Sequence, residues 1–209
     1  MNRYLVAPIA IVCPLALVSC GESTEEVRAA FDTFDGATDR RVAQEAMGVM
    51  DPVYFEHMDY LIKLARTGSR ERVLSLPAHE RMEIVAMRNR LTRDELSKVD
   101  GAGWVRLSIE RGWWAADPGE PALSIGRVTF RSPRASGELL VDGQRTGLTV
   151  EFVKTNDQWL VDPRPVDEWW GSFVSKRATS AGNLDQMILN LESVESGKRV
   201  NQTIWDPPK

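Results

Sequence analysis

The sequence predicts an α+β protein: helices packed against a curved antiparallel sheet of about four strands, followed by a helical C-terminal tail. Three observations predict it. Apolar residues recur at helical spacing through 51–115. They alternate by twos between turn dipeptides through 120–162, and helical spacing returns through 165–209. The chain has 209 residues, 43% hydrophobic and 27% charged, a globular composition with room for one or two domains; residues 51–209 read as a single domain. A formal net charge of -4 excludes a generic nucleic-acid binder, which carries a basic excess. Seven Trp and six Phe exclude wholesale disorder, and two Cys exclude a disulfide-rich scaffold.

The chain opens with Met1-Asn2-Arg3, an apolar run from Tyr4 to Val18, and Ser19-Cys20. A basic start, an apolar stretch and a small-residue exit describe a signal peptide over 1–19. The run is short for a membrane-spanning helix, and Pro8 and Pro14 interrupt it. An ordinary cleaved signal with an incidental Cys20 and an uncleaved anchor also fit these residues. Leu17-Val18-Ser19-Cys20 resembles a bacterial lipobox. That resemblance implies lipidation of Cys20, with acyl chains as the link to the membrane. It places the protein in the bacterial cell envelope on the extracytoplasmic side. Gly21 stands where enteric-type lipoproteins retained in the inner membrane carry Asp, which favours the outer membrane. Each buried methylene contributes ~0.8 kcal/mol, so several chains attach firmly where one is marginal. Cleavage removes Cys13 and Arg3, leaving a net charge of -5 and no pair of cysteines for an internal disulfide.

Residues 20–50 read as the lipidated Cys, a tether and short helices at 24–34 and 40–49, broken by Gly36 and Asp39. Asp51 is a good N-cap, Pro52 fits the first helical position, and Tyr54, Met58, Leu61, Ile62 and Ala65 form one apolar stripe before Gly68. One or two turns follow over 69–76, and another helix runs from Pro77 to near Leu91. Thr92-Arg93-Asp94-Glu95 is a capping box with Leu91 and Leu96 as its hydrophobic staple. Residues 103–114 fit strand alternation and helical spacing alike, and the helical run before them favours helix. Leu123–Arg131 reads as a strand with a bulge at Gly126, where the apolar phase shifts. Strands Ser136–Val141, Thr146–Lys154 and Gln158–Val161 follow, separated by turns at Asp142-Gly143 and Asn156-Asp157. Pro165 and Asn183 begin two tail helices, and Asn201–Lys209 forms a terminal strap carrying Trp205.

The stretch from Gly126 to Val166 resembles the sheet of nuclear transport factor 2-like (cystatin-like cone) domains of bacterial lipoproteins. The residues that carry it are Asp142-Gly143, the alternation Thr149-Val150-Glu151-Phe152-Val153-Lys154, the turn Asn156-Asp157 and Trp159-Leu160-Val161-Asp162. The resemblance covers about 110 residues and implies that the 51–68 helix packs as a lid in the cone. That family hosts enzymes, binders and interaction modules, so it fixes no activity.

Chemistry is sparse. His57 and His79 each neighbour an acid, Glu56 and Glu80, but no metal-ligand spacing exists, so no metal site is expected. Gly-x-Ser-x-Gly and phosphate-loop patterns are absent, and no cofactor is expected. The enzymatic precedent in the cone fold is ketosteroid isomerase, with an Asp base and a Tyr/acid oxyanion hole. The groups available for such an isomerase or hydratase are Tyr54, Asp59 and Tyr60 on the lid helix and Glu151 on the central strand. Trp159, Trp169 and Trp170 are candidates for a ligand cleft or for docking an envelope protein, with core packing as the plainer role. The arginines between 66 and 93 read as a solvated face or a receptor for an anion. The expected function is a lipid-anchored extracytoplasmic binding or interaction module, taking a small molecule or an envelope protein and no nucleic acid.

Overall fold

The computed structural model describes residues 23–115 and 119–208. Cys20 and the signal segment lie outside the described residues. The architecture is α+β: helices precede and follow one four-stranded antiparallel sheet.

Local signals start most of the helices. α1 (Thr24–Asp39) begins where the Ser23 hydroxyl accepts from the Glu25 amide. It runs through Gly36 to Asp39, past the expected stop at 34, because the apolar stripe Val27, Phe31, Phe34, Thr38 continues at helical spacing and is buried. Residues 24–50, read as tether and short helices, therefore contribute directly to the core, with Val27 and Phe31 fully buried. α2 (Ala43–Gly48) follows. α3 (Pro52–Thr67) is capped by Asp51, whose carboxylate accepts from the Val53 amide at 3.1 Å, and its stripe Tyr54, Met58, Leu61, Ile62, Ala65 is buried as the spacing predicts.

After the short α4 (Arg70–Leu74) comes α5 (Ala78–Arg90). α6 (Arg93–Lys98) carries both bonds of the Thr92–Glu95 capping box. α7 (Gly101–Glu110) makes the ambiguous stretch helical as far as Glu110, and 111–114 turn out of the helix at Gly112. Its N-terminus needs Gly101: a Cβ there would lie 2.1 Å from the Phe55 carbonyl oxygen, and the Gly101 amide donates to Asp59 at 2.6 Å. Asp59, a candidate at the lid, is thus spent on joining α7 to α3.

The sheet is a meander, β1 (Leu123–Arg131), β2 (Arg134–Val141), β3 (Gln144–Thr155) and β4 (Gln158–Asp162), in sequential order. The β1–β2 register slips between Ile125 and Val128, around Gly126. The turns at Asp142-Gly143 and Asn156-Asp157 place both central residues at positive φ, as tight hairpins require. Ile125, Ala135, Leu139, Val150, Phe152, Trp159 and Val161 form the buried face, covered by α1 and α8; Thr149 and Glu151 point to the exposed one. The edge of β4 is partly closed by the chain before α3, where the Asp51 amide donates to Val161 and the Val161 amide to Val49. α3 packs chiefly on α5 and α7 rather than against the sheet.

α8 (Arg164–Ala181) and α9 (Leu184–Ser196) form the tail, α9 capped by Asn183. A 3₁₀ turn (Gln202–Trp205) buries the Trp205 ring completely; a side chain of this size contributes on the order of 3 kcal/mol by leaving water.

Candidate functional site

A partly open cavity of about 470 Å³ lies among α1, α5, α7, α8, α9 and the segment leading into β1. Four indoles line it: Trp104 from α7, Trp113 and Trp114 just beyond α7, and Trp170 from α8. Met82, Ala86, Val166, Ile188 and Leu191 supply aliphatic surface. Of the strand residues only Leu123 reaches it, so helices rather than the sheet's concave face build the wall.

Into this apolar lining project carboxyl groups from separate helices. Glu83 on α5 accepts from Trp104 Nε1 at 2.9 Å. It is half-buried in the cavity wall, and burial pushes its carboxyl up to about 7, a rise that Glu192 and Glu195 add to and that Arg90 and the Trp104 bond oppose. Asp167 on α8 accepts from the Tyr54 hydroxyl at 2.9 Å. Burial, then the charge of Glu83, raises it well above the ordinary carboxyl range, and burial holds the Tyr54 hydroxyl in its neutral form too. Asp35 on α1 is raised to about 6 by burial, then by Asp39 and Asp32 on its own helix. At neutral pH this cluster therefore carries protons that surface carboxyls would have lost.

The close approach of α8 to α5 that shapes this wall depends on Gly171. A Cβ there would lie 2.7 Å from the His79 amide nitrogen. His79 lines the cavity and is held toward its neutral form by burial.

Arg90 is the guanidinium in the lining. It is bound to Glu192 at 2.6 Å and to Glu195, and its Cζ lies 5.2 Å from the centroid of the Trp113 ring. Arg111 approaches the same ring at 5.1 Å.

Of the residues singled out in the sequence, Tyr54, His79 and Trp170 belong to this region. Tyr54 is fully buried, and its acid partner is Asp167, which sequence reasoning did not name. Tyr60 lies apart and exposed, its hydroxyl accepting from Arg72. Glu151 stands on the exposed face of β3 and does not line the cavity, because the strand's alternation turns Val150 and Phe152 inward instead. Trp159 is a core residue against Phe130 at 5.9 Å, its indole N–H without an acceptor. Trp169 and Trp170 are half-buried, in edge contact with each other at 4.8 Å and with Phe173 beside them. Among the described residues the exposed large hydrophobics are Val42, Tyr60 and Val194.

In the arginine run Arg72 and Arg93 are exposed, as a solvated face requires, whereas others are spent within the fold. Arg66 donates to Leu96 and Val99 carbonyls, Arg70 to Gln202, Arg81 to Leu76 and Asp185, and Arg88 to five main-chain carbonyls. These groups tie helices to one another and to the terminal strap.

Among the described residues no group of three or more His, Cys, Asp or Glu is placed to hold a metal ion, and no helix is long and apolar enough to cross a membrane. Comparison of the chain with family models, curated proteins and solved structures returned no match.

Proposed function

We propose that this protein is a lipid-anchored extracytoplasmic module that binds a small molecule in the Trp-lined cavity. One observation carries the reading: about 470 Å³ of space bounded by four indoles and by acids whose proton affinity burial has raised, on a fold whose other buried polar groups are largely tied off. Cavities of this size with apolar walls and a few converging polar groups are the usual form of ligand sites. The membrane attachment rests on Leu17-Val18-Ser19-Cys20. With Cys20 lipidated, Gly21, Glu22 and Ser23 are the residues between the acyl chains and the start of α1 at Thr24. Three residues span at most about 11 Å, so the domain would sit close to the bilayer. The antiparallel meander supports the nuclear transport factor 2-like reading of the scaffold, with the cavity displaced onto the helical side.

Two measurements test it. Native mass spectrometry of the detergent-extracted full chain is expected to reveal a co-purifying small molecule that the cavity-filling substitution Ala86→Trp removes. A ligand retained by that variant, or no saturable ligand from a broad metabolite screen, contradicts the binding reading. Metabolic labelling with a palmitate analogue is expected to tag the parent and not Cys20→Ala; equal tagging contradicts the anchor.

A second reading, an isomerase or hydratase, draws support from the Tyr54–Asp167 hydrogen bond at the cavity wall, a hydroxyl and a protonated acid of the kind that stabilises a developing oxyanion. It predicts turnover of a carbonyl substrate that Asp167→Asn lowers at least a hundredfold. Retention of turnover by that variant contradicts it.

A further inference from the structure

We propose that the cavity selects an organic cation, a quaternary ammonium or protonated amine carried on a compact apolar body. The inference rests on reading the cavity as a ligand site and adds the chemical class of the ligand.

The balance of charge in the cavity favours a cation. Glu83, Asp167 and Asp35 come from three different helices: Glu83 accepts from the Trp104 indole and feels the Arg90 charge, Asp167 accepts from the Tyr54 hydroxyl, and Asp35 faces the like charges of Asp39 and Asp32. The Arg90 guanidinium is bound by Glu192 and Glu195. An excess of carboxyls in a desolvated space attracts positive charge, and the raised affinity of these groups for a proton is the measure of that attraction.

The walls favour one too. Indole faces are the best ring surfaces for an onium group, whose weak hydration lets it leave water readily. Trp114 and Trp170 both line the space and stay half-buried. The wall already binds a cation in this way. Arg90 lies between the Trp113 ring, 5.2 Å from its centroid, and the carboxylate of Glu192. A free ammonium in the cavity would meet the same pair of features, ring and acid, in Trp170 or Trp114 with Glu83 or Asp167.

Binding is then linked to protons. Glu83 faces the Trp104 indole from α7, Asp167 from α8, Glu192 and Glu195 from α9, and Arg90 and His79 on its own helix; Asp35, Asp39 and Glu120 complete the charged lining. A cation favours the ionised carboxyls, so it binds more tightly as pH rises and displaces protons near neutrality.

The test uses the full chain in detergent, tryptophan fluorescence as readout, and two probes of the same shape: choline and its uncharged carbon isostere 3,3-dimethylbutan-1-ol. Choline is expected to bind at least tenfold more tightly than the isostere at pH 8 and about tenfold more weakly at pH 5.5, while the isostere responds little to pH. Glu83→Gln and Asp167→Asn, each close in shape to the parent residue, are expected to lower choline affinity at least fivefold and leave the isostere unchanged. Equal affinity for the two probes, or choline binding that ignores pH and both substitutions, overturns the inference while leaving a ligand site in place. Absence of saturable binding by either probe also overturns it, and the metabolite screen and Ala86→Trp variant above then decide separately whether the cavity binds anything.

Discussion

On one face of α5 the Arg88 guanidinium donates to the carbonyls of Leu64, Ala65 and Gly68 at the end of α3 and of Ile204 and Trp205 in the terminal strap. Five donors meet five acceptors, all that arginine has to give. Five residues back along the helix, and so turned by about 140°, Glu83 faces the cavity with one donor, the Trp104 indole. Arg88 is 8% exposed, and burial lowers it only to about 10, so it keeps its charge at neutral pH. Glu83 is raised to about 7 and titrates where the protein works. The difference separates two uses of buried charge. Where every polar atom is answered from within, the group holds the fold together. Where answers are withheld beside an open space, the fold bears a cost that a ligand can relieve.

The largest expected effect breaks the satisfied side of this comparison. Arg88→Met takes the donor from five carbonyls, of which Leu64 keeps the Gly68 amide, and frees the strap; it is expected to cost about 3–5 kcal/mol in urea unfolding. A loss below about 1 kcal/mol means that the strap is held by something other than Arg88. On the unsatisfied side the sign reverses with pH. The Glu83 carboxyl is raised from 4.5 to about 7 on folding, so its contribution is fully present below about pH 4.5 and lost as pH rises through about 7. Glu83→Gln keeps an acceptor for Trp104 and should match the parent at pH 4. It should exceed the parent at pH 8 by on the order of 3 kcal/mol. Thermal melts across that range check it, and a variant less stable at pH 8 contradicts it.

Gly171→Ala sharpens the contrast from the side of packing. The added methyl meets the His79 backbone and pushes α8 from α5, at about 1–3 kcal/mol, distorting the cavity while leaving the Arg88 carbonyls in place. Ligand affinity should fall more than stability does, as a binding isotherm beside a melt would register. The smallest effect is Tyr54→Phe. It removes one hydrogen bond, about 1 kcal/mol, and raises the proton affinity of Asp167 further, because that bond favours the charged carboxyl. Unfolding at pH 6 and pH 8 measures both parts.

What the sequence revealed was what neighbours along the chain decide. Asp51 with Pro52, Thr92 with Glu95, Asn183 and the two hairpin dipeptides each fix local geometry within three or four residues, and the elements begin and turn where those residues stand. The path of α1 past Gly36 was hidden because one glycine weakens a helix by less than the burial of Phe31 and Phe34 strengthens it. The cavity was hidden for a stronger reason. Asp35, Glu83 and Asp167 are separated by 48 and then 84 positions, and each reads alone as an ordinary surface acid on a helix. Arg88 likewise reads as one of a solvated run, although its five acceptors come from two distant segments. Glu151 draws notice as an acid on the central strand, and the strand's clean alternation is what turns it outward. The usable signal for the site was the density of tryptophan at 104, 113, 114 and 170, more than a core of this size needs, with Asp167 one helical turn before Trp170.

The cavity face of α5 holds an acid in a state it would not choose in water. A ¹³C NMR titration of the side-chain carboxyls, with the Glu83 resonance assigned by its absence in Glu83→Gln, measures this directly. A Glu83 midpoint near pH 7 is the predicted result; a midpoint close to the ordinary 4.5 would contradict the account.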